Sequence, residues 1–106
     1  MKKNKFKAIK TEVSGITFDS QKEARQFGEL QLLVRAGQIR NLERQPEFIL
    51  VVGGQVICKY YADFAYFENN KRVVEDVKSQ PTKTPVYRLK RRLLLALNPG
   101  LDHREV

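Results

Sequence analysis

The sequence predicts an α/β chain: an α+β sandwich in which a mixed sheet built on a three-stranded antiparallel meander is flanked by two helices. Three observations carry this. A capped, amphipathic run extends from Ser20 to Ala36. Three β-rich runs between Glu47 and Ser79 are separated by Gly53-Gly54 and Asn69-Asn70. A second capped helix opens at Thr84-Pro85. At 106 residues the chain has room for one domain. We expect a single domain over 1–106, with 1–12 as a basic N-terminal arm and 98–106 as a flexible tail.

Taken in order, Val13 to Phe18 alternates around Gly15 and leads into the first helix. Ser20 is a good N-cap, and Glu23 stands three residues on, the spacing of a capping box. Gly37 is a natural stop after Ala36. Residues 47–52 read as a strand, and Gly53-Gly54 as a two-residue hairpin turn. A long second strand is predicted over 55–67. Its even positions, Val56, Cys58, Tyr60, Ala62, Phe64 and Tyr66, form a nearly unbroken apolar face. Asn69-Asn70 is a second turn signal, because Asn tolerates positive φ. A third strand covers 72–79. Thr84 then caps a helix with Pro85 in its first position, and Asn98-Pro99-Gly100 ends it. Val86, Leu89, Leu93, Leu94 and Leu97 are its expected packing residues.

Twenty Lys and Arg against 12 Asp and Glu give a formal net charge of +8, which points to a polyanionic partner, most often nucleic acid. Apolar residues make up 42%, enough for a real core. No apolar run approaches membrane-spanning length, and the lysine-rich start lacks the apolar segment of a signal peptide. One cysteine, Cys58, excludes an internal disulfide framework and a cysteine-rich zinc site. The expectation is a reduced, cytoplasmic protein without membrane contact. The lone histidine, His103, falls in the expected tail.

A two-residue turn at Asn69-Asn70 puts Glu68 opposite Lys71, Asp63 opposite Asp76 and Tyr61 opposite Lys78. Side chains alternate along a strand, so Asp63, Asp76 and Lys78 then share one side. Facing carboxylates repel and need neutralising. A hard divalent cation bound through oxygen, Mg²⁺ above all, is the natural candidate. Lys78 adds a compact positive charge for a phosphate or a water. The competing reading is a solvated strand pair of different register. A slip of one residue would put Glu75 in place of Asp76.

Glu23 has two readings of equal weight. It closes its own capping box, or it is a further metal ligand, since it shares a helix arc with Phe27, Leu30 and Val34 and so faces the sheet. Glu75 falls on the face opposite Asp76, beside Phe64, where a Lys or Arg partner is expected. Lys83, Arg88, Lys90, Arg91 and Arg92 form a basic cluster that no acidic residue interrupts in sequence, and phosphate contacts are its better reading.

These residues resemble the PD-(D/E)XK nuclease superfamily. The matching pattern is Asp63, then Asp76-Val77-Lys78 after twelve residues, with Glu23 on the preceding helix. The element order resembles that superfamily's αβββα, restriction-endonuclease-like core. Ser20-Gln21-Lys22-Glu23-Ala24, Ala36-Gly37-Gln38-Ile39, Leu42-Glu43-Arg44-Gln45-Pro46, Tyr61-Ala62-Asp63-Phe64, Val74-Glu75-Asp76-Val77-Lys78 and Tyr87-Arg88-Leu89-Lys90 look more closely like small phage and prophage proteins akin to Holliday-junction resolvases. The resemblance implies a Mg²⁺-dependent endodeoxyribonuclease, with Mn²⁺ as a substitute, acting on branched DNA in recombination or replication. It implies Asp63, Asp76, Glu23 and the Val77 carbonyl as metal ligands and Lys78 as the residue that positions the attacking water. Gln45 and Glu75 are left without a settled role. Ala62 stands where many relatives have proline, and Asp76 where many have glutamate. Cutting both strands of a junction would need a homodimer. The alternatives are a non-catalytic basic DNA-binding module and a small replication or recombination interaction protein.

Overall fold

The computed structural model describes residues 11–13 and 15–106, apart from the side chains of Val13 and Gln80. The expected basic arm at 1–12 falls almost wholly outside the described residues. Strands β1 (Thr11–Val13) and β2 (Ile16–Phe18) pair as a hairpin around Gly15, whose φ of +77° a side chain would strain. Helix α1 (Gln21–Arg35) begins at Ser20, whose hydroxyl accepts from the Glu23 N–H at 3.1 Å, and stops where Gly37 takes a φ of +74°. Both boundaries follow from the caps that the sequence displays.

The next four strands differ from a simple meander. Strands β3 (Arg40–Arg44) and β4 (Glu47–Val52) form one arm, and β5 (Gln55–Tyr61) and β6 (Phe64–Glu68) form the returning arm. Gly53 and Gly54 both have positive φ in the turn between the arms. The arms bend together at Gln45-Pro46 and Ala62-Asp63. Gln45 N–H donates to Asp63 O at 2.9 Å, and Ala62 N–H to Pro46 O at 3.3 Å, so pairing continues through the bend. The expected strand over 55–67 is therefore two strands. Its even face changes sides at the bend: Tyr60 and Ala62 join one core cluster, Phe64 and Tyr66 the other. Tyr61 pairs with Glu47, not with Lys78.

Strand β7 (Lys71–Asp76) is shorter than the expected 72–79; Lys78 N–H still donates to Val106 O at 3.2 Å, and a short 3₁₀ turn at Gln80–Thr82 follows. Helix α2 (Pro85–Leu97) is capped by the Thr84 hydroxyl, which accepts from Tyr87 N–H at 3.1 Å. The expected flexible tail at 98–106 is instead strand β8 (Asp102–Glu105), which lies parallel to β7. Parallel neighbours need a crossover, and α2 supplies it. The main sheet has the order β3-β6-β7-β8 and is mixed.

Each face of this sheet has its own core. Phe64, Tyr66 and Val73 pack with Phe18, Ala24, Phe27, Leu30 and Ile39 on the α1 side. Ala65 and Val74 pack with Leu50, Tyr60, Ala62 and Leu94 on the α2 side. Val34, expected on the buried arc of α1, is 40% exposed. Helix α2 corrects a larger expectation. Leu94 is fully buried and Leu93 half-buried, but Val86 and Leu89 are 62% and 67% exposed and Leu97 is exposed too. Tyr87, Arg91 and Leu94, spaced i, i+4, i+7, form the inner face, because acceptors on β8 satisfy the polar tips of Tyr87 and Arg91. Among the described residues, no helix is long and apolar enough to cross a membrane.

This orientation of α2 has a direct check. Leu94→Ala should cost about 2–5 kcal/mol in urea denaturation, whereas Leu89→Ala should stay within about 0.5 kcal/mol. Comparable losses at both positions would mean that α2 packs through the face the sequence suggested.

Candidate functional site

The hairpin register decides what meets what. Asn69 and Asn70 both have positive φ, and the pairs Glu68↔Lys71 through Phe64↔Glu75 form as the two-residue turn requires. Asp63 follows at the bend, one step beyond the last pair. Its N–H donates to Glu75 O at 3.1 Å, and its Oδ2 accepts from Val77 N–H at 2.7 Å. Gln45, with a φ of +51°, turns the neighbouring arm so that its own N–H caps the Asp63 carbonyl. A non-glycine residue in that region costs roughly 1–2 kcal/mol. The strain at Gln45 thus holds the Asp63 backbone from one side while β7 holds it from the other.

Asp76 and Glu75 leave β7 on opposite faces. Glu75, 3% exposed, accepts from Gln26 Nε2 at 2.8 Å and from the Tyr66 hydroxyl on the α1 side. Among the described residues its hydrogen-bond partners are an amide and a phenol, not the Lys or Arg expected. Asp76, also 3% exposed, faces the α2 side. Its Oδ2 accepts from the Tyr60 hydroxyl and lies 2.8 Å from His103 Nε2. Arg91 Nε donates to His103 Nδ1 at 2.9 Å. Because Nδ1 accepts, Nε2 carries the ring proton and donates to Asp76. Burial, then the Asp76 carboxylate, pushes the Tyr60 phenol far up, so it stays a donor.

The carboxylates at the bend crowd one another. Burial, reinforced by the charges of Asp63 and Asp19, pushes the Glu23 carboxyl up to about 7, and Arg44 opposes this. Burial also raises Asp63, with Asp76 and Asp19 adding to the shift and the Val77 N–H and Lys78 lowering it. Asp63 therefore stands electrically between Glu23 on the α1 side and Asp76 on the α2 side. Lys78 lies within range of Asp63, its Nζ 4.3 Å from the centre of the Tyr87 ring. Lys22 Nζ donates to the Lys78 carbonyl at 3.1 Å. Ser20 caps the Glu23 N–H, and the Glu23 carboxyl lies within electrostatic range of Asp63.

The basic cluster divides. Lys83, Arg88, Arg91 and Arg92 line a concavity of about 350 Å³, and an acidic residue, Glu105 of β8, enters it and pairs with Lys83 at 3.2 Å. Lys90 points elsewhere, bonding the Lys59 carbonyl at 3.1 Å beside Tyr60 and Tyr61. Arg91 is partly spent on His103. Sequence reasoning missed Tyr60, His103, Arg44 and Asp19. His103 carried a usable signal: a short Asp-His-Arg-Glu run of polar and charged residues after a Pro-Gly turn conceals a strand that pairs through its backbone. Arg44 gave none, although its guanidinium lies 4.7 Å over the Phe18 ring and its Nε is buried without a partner.

Glu23, Asp63 and Asp76 offer only oxygen donors, the set a hard divalent cation prefers. Crowded carboxylates gain from such an ion. The donor chemistry fits Mg²⁺. Among the described residues, however, no three Asp, Glu, His or Cys side chains lie close enough together to hold a metal ion.

A family model described as "Protein of unknown function (DUF1064)" matches residues 3–102. No curated protein matches the chain, and no solved structure does.

The raised Glu23 predicts a pH dependence with a defined sign. Its folded value lies above the ordinary 4.5, so the fold favours the protonated form. That contribution is full below pH 4.5 and is lost as pH rises through about 7. Glu23→Gln should therefore raise Tm at about pH 8 and leave it nearly unchanged at about pH 4. Equal effects at both values would show that Glu23 is not crowded.

Proposed function

This chain belongs to the DUF1064 family, and we propose that it is a Mg²⁺-dependent endodeoxyribonuclease acting on branched DNA, of the PD-(D/E)XK kind. The observation that carries the reading is the bond from Val77 N–H to Asp63 Oδ2. It brings Asp63 against the Asp76-Val77-Lys78 triplet, the residues that carry the resemblance.

In this reading Asp63 and Asp76 hold the cation, with Glu23 and the Val77 carbonyl as further oxygen donors. When bound, such an ion polarises a phosphoryl oxygen and makes a water more acidic. The remaining work falls to the chain's own side chains. Lys78 offsets carboxylate charge beside Asp63 and offers an ammonium to a phosphate or to the attacking water. Lys83, Arg88, Arg91 and Arg92 present cations around one concavity, suited to phosphate oxygens and indifferent to base sequence. Contacts of that kind favour recognition by shape. Two cuts at a junction need two active sites, so the functional unit in this reading is a homodimer.

A second reading, a DNA-binding module without catalysis, is favoured by one observation: Asp76 Oδ2 is already bonded to Tyr60 and His103, and the ligands do not form a ready cage.

Cleavage of labelled linear, forked and four-way DNA separates the two. The nuclease reading expects cutting with Mg²⁺ or Mn²⁺ and none with chelator. Asp63→Asn and Lys78→Met should each lower the rate by on the order of 100-fold or more while leaving DNA binding intact. Binding without metal-dependent cutting of any substrate would establish the second reading. In the same preparations, Arg88→Ala with Arg92→Ala should weaken binding across all sequences. The slope of log affinity against log salt should fall by about 1 for each phosphate no longer engaged.

A further inference from the structure

We propose that His103 is a positioning residue for Asp76, acting with Tyr60 to aim the carboxylate and with Arg91 to fix its own tautomer. The inference rests on the reading of Asp76 as a metal ligand, and adds three residues that the motif does not contain.

The geometry is directional. The Tyr60 hydroxyl and His103 Nε2 both meet Asp76 at Oδ2, so the two bonds clamp one oxygen and leave Oδ1 outside them. Tyr60 and His103 also stand 3.1 Å apart, edge to face, which closes the triangle around that oxygen. The His103 side chain is fully buried, and its ring is held at the other end by Arg91. With Nδ1 accepting from a guanidinium N–H, a group that can only donate, the imidazole has one way to present a donor, toward Asp76. A buried carboxylate needs partners in any case. A purely space-filling role would not require a defined tautomer, nor both donors on the same oxygen. Partners that orient a ligating carboxylate typically change metal affinity by about 10–100-fold when removed.

Titration calorimetry with Mg²⁺ alone tests this without reference to cleavage, with thermal denaturation run in parallel. His103→Leu should weaken Mg²⁺ binding by about tenfold or more. Tyr60→Phe should weaken it in the same direction. His103→Gln should stay within about threefold of the parent, because its amide oxygen accepts from Arg91 while its amide nitrogen donates to Asp76. Asp76→Ala is the reference for a missing ligand. Parent-like binding by His103→Leu, with binding abolished in Asp76→Ala, would overturn the proposal and leave the metal site standing. So would a His103→Gln variant as weak as His103→Leu. Parent-like binding by Asp76→Ala would instead remove Asp76 as a ligand, and the proposal with it. If His103→Leu does not fold, Tyr60→Phe decides: unchanged affinity overturns the proposal, and about tenfold weaker binding supports it.

Discussion

The reversal at Asn69 and Asn70 governs the rest of the molecule. Both residues take positive φ, a region that costs most side chains about 1–2 kcal/mol and that asparagine tolerates. The turn admits two residues and no more, and from it each pair along β6 and β7 is counted off to Phe64 and Glu75. A shift of one residue would send Asp76 toward α1 and Glu75 toward α2, exchanging two buried carboxylates between unlike surroundings. The cores on the two faces would be exchanged with them.

Those surroundings solve the same problem differently. A buried carboxylate without partners is costly, and β7 buries two in succession. Glu75 is met by Gln26 and Tyr66, two donors that spread over both its oxygens. Asp76 is met by Tyr60 and His103 on one oxygen only. The first arrangement closes a carboxylate off, and the second leaves it with a free side. The bend at Ala62-Asp63 adds a third acid to this neighbourhood by lifting Asp63 out of the ladder and turning its carboxylate onto the Val77 N–H.

Features set by neighbouring residues were legible in the sequence: the caps at Ser20 and Thr84, the stop at Gly37, both two-residue turns and the register between β6 and β7. From these the nearness of Asp63 to Asp76-Val77-Lys78 followed, although Asp63 meets the Val77 N–H at the bend and is not paired with Asp76 across the ladder as expected. What escaped was set at a distance. Strand β3 carries a bulge at Asn41-Leu42 that breaks any alternation. Strand β8 is polar in sequence because it lies at the sheet edge and binds through its backbone. The inner face of α2 includes Arg91, which periodicity assigns to solvent until an acceptor such as His103 is known to lie across from it. The same blind spot hid the supports of Asp76, since Tyr60 and His103 lie 16 and 27 residues from it.

The parallel pairing of β7 with β8 also orders events in time. Val74 and His103 are partners in the ladder, yet α2 and its flanking turns lie between them. A ribosome that has released β7 has already supplied Asp63, Asp76 and Lys78, but not the histidine against which Asp76 rests. Until β8 emerges and docks, the Asp76 carboxylate lacks one of its two donors and Arg91 lacks its acceptor. Closing that contact means ordering a long loop first, an entropic cost that places it among the late steps of folding. The surroundings of Asp76 are thus completed by a strand that follows it by a whole helix in the described chain.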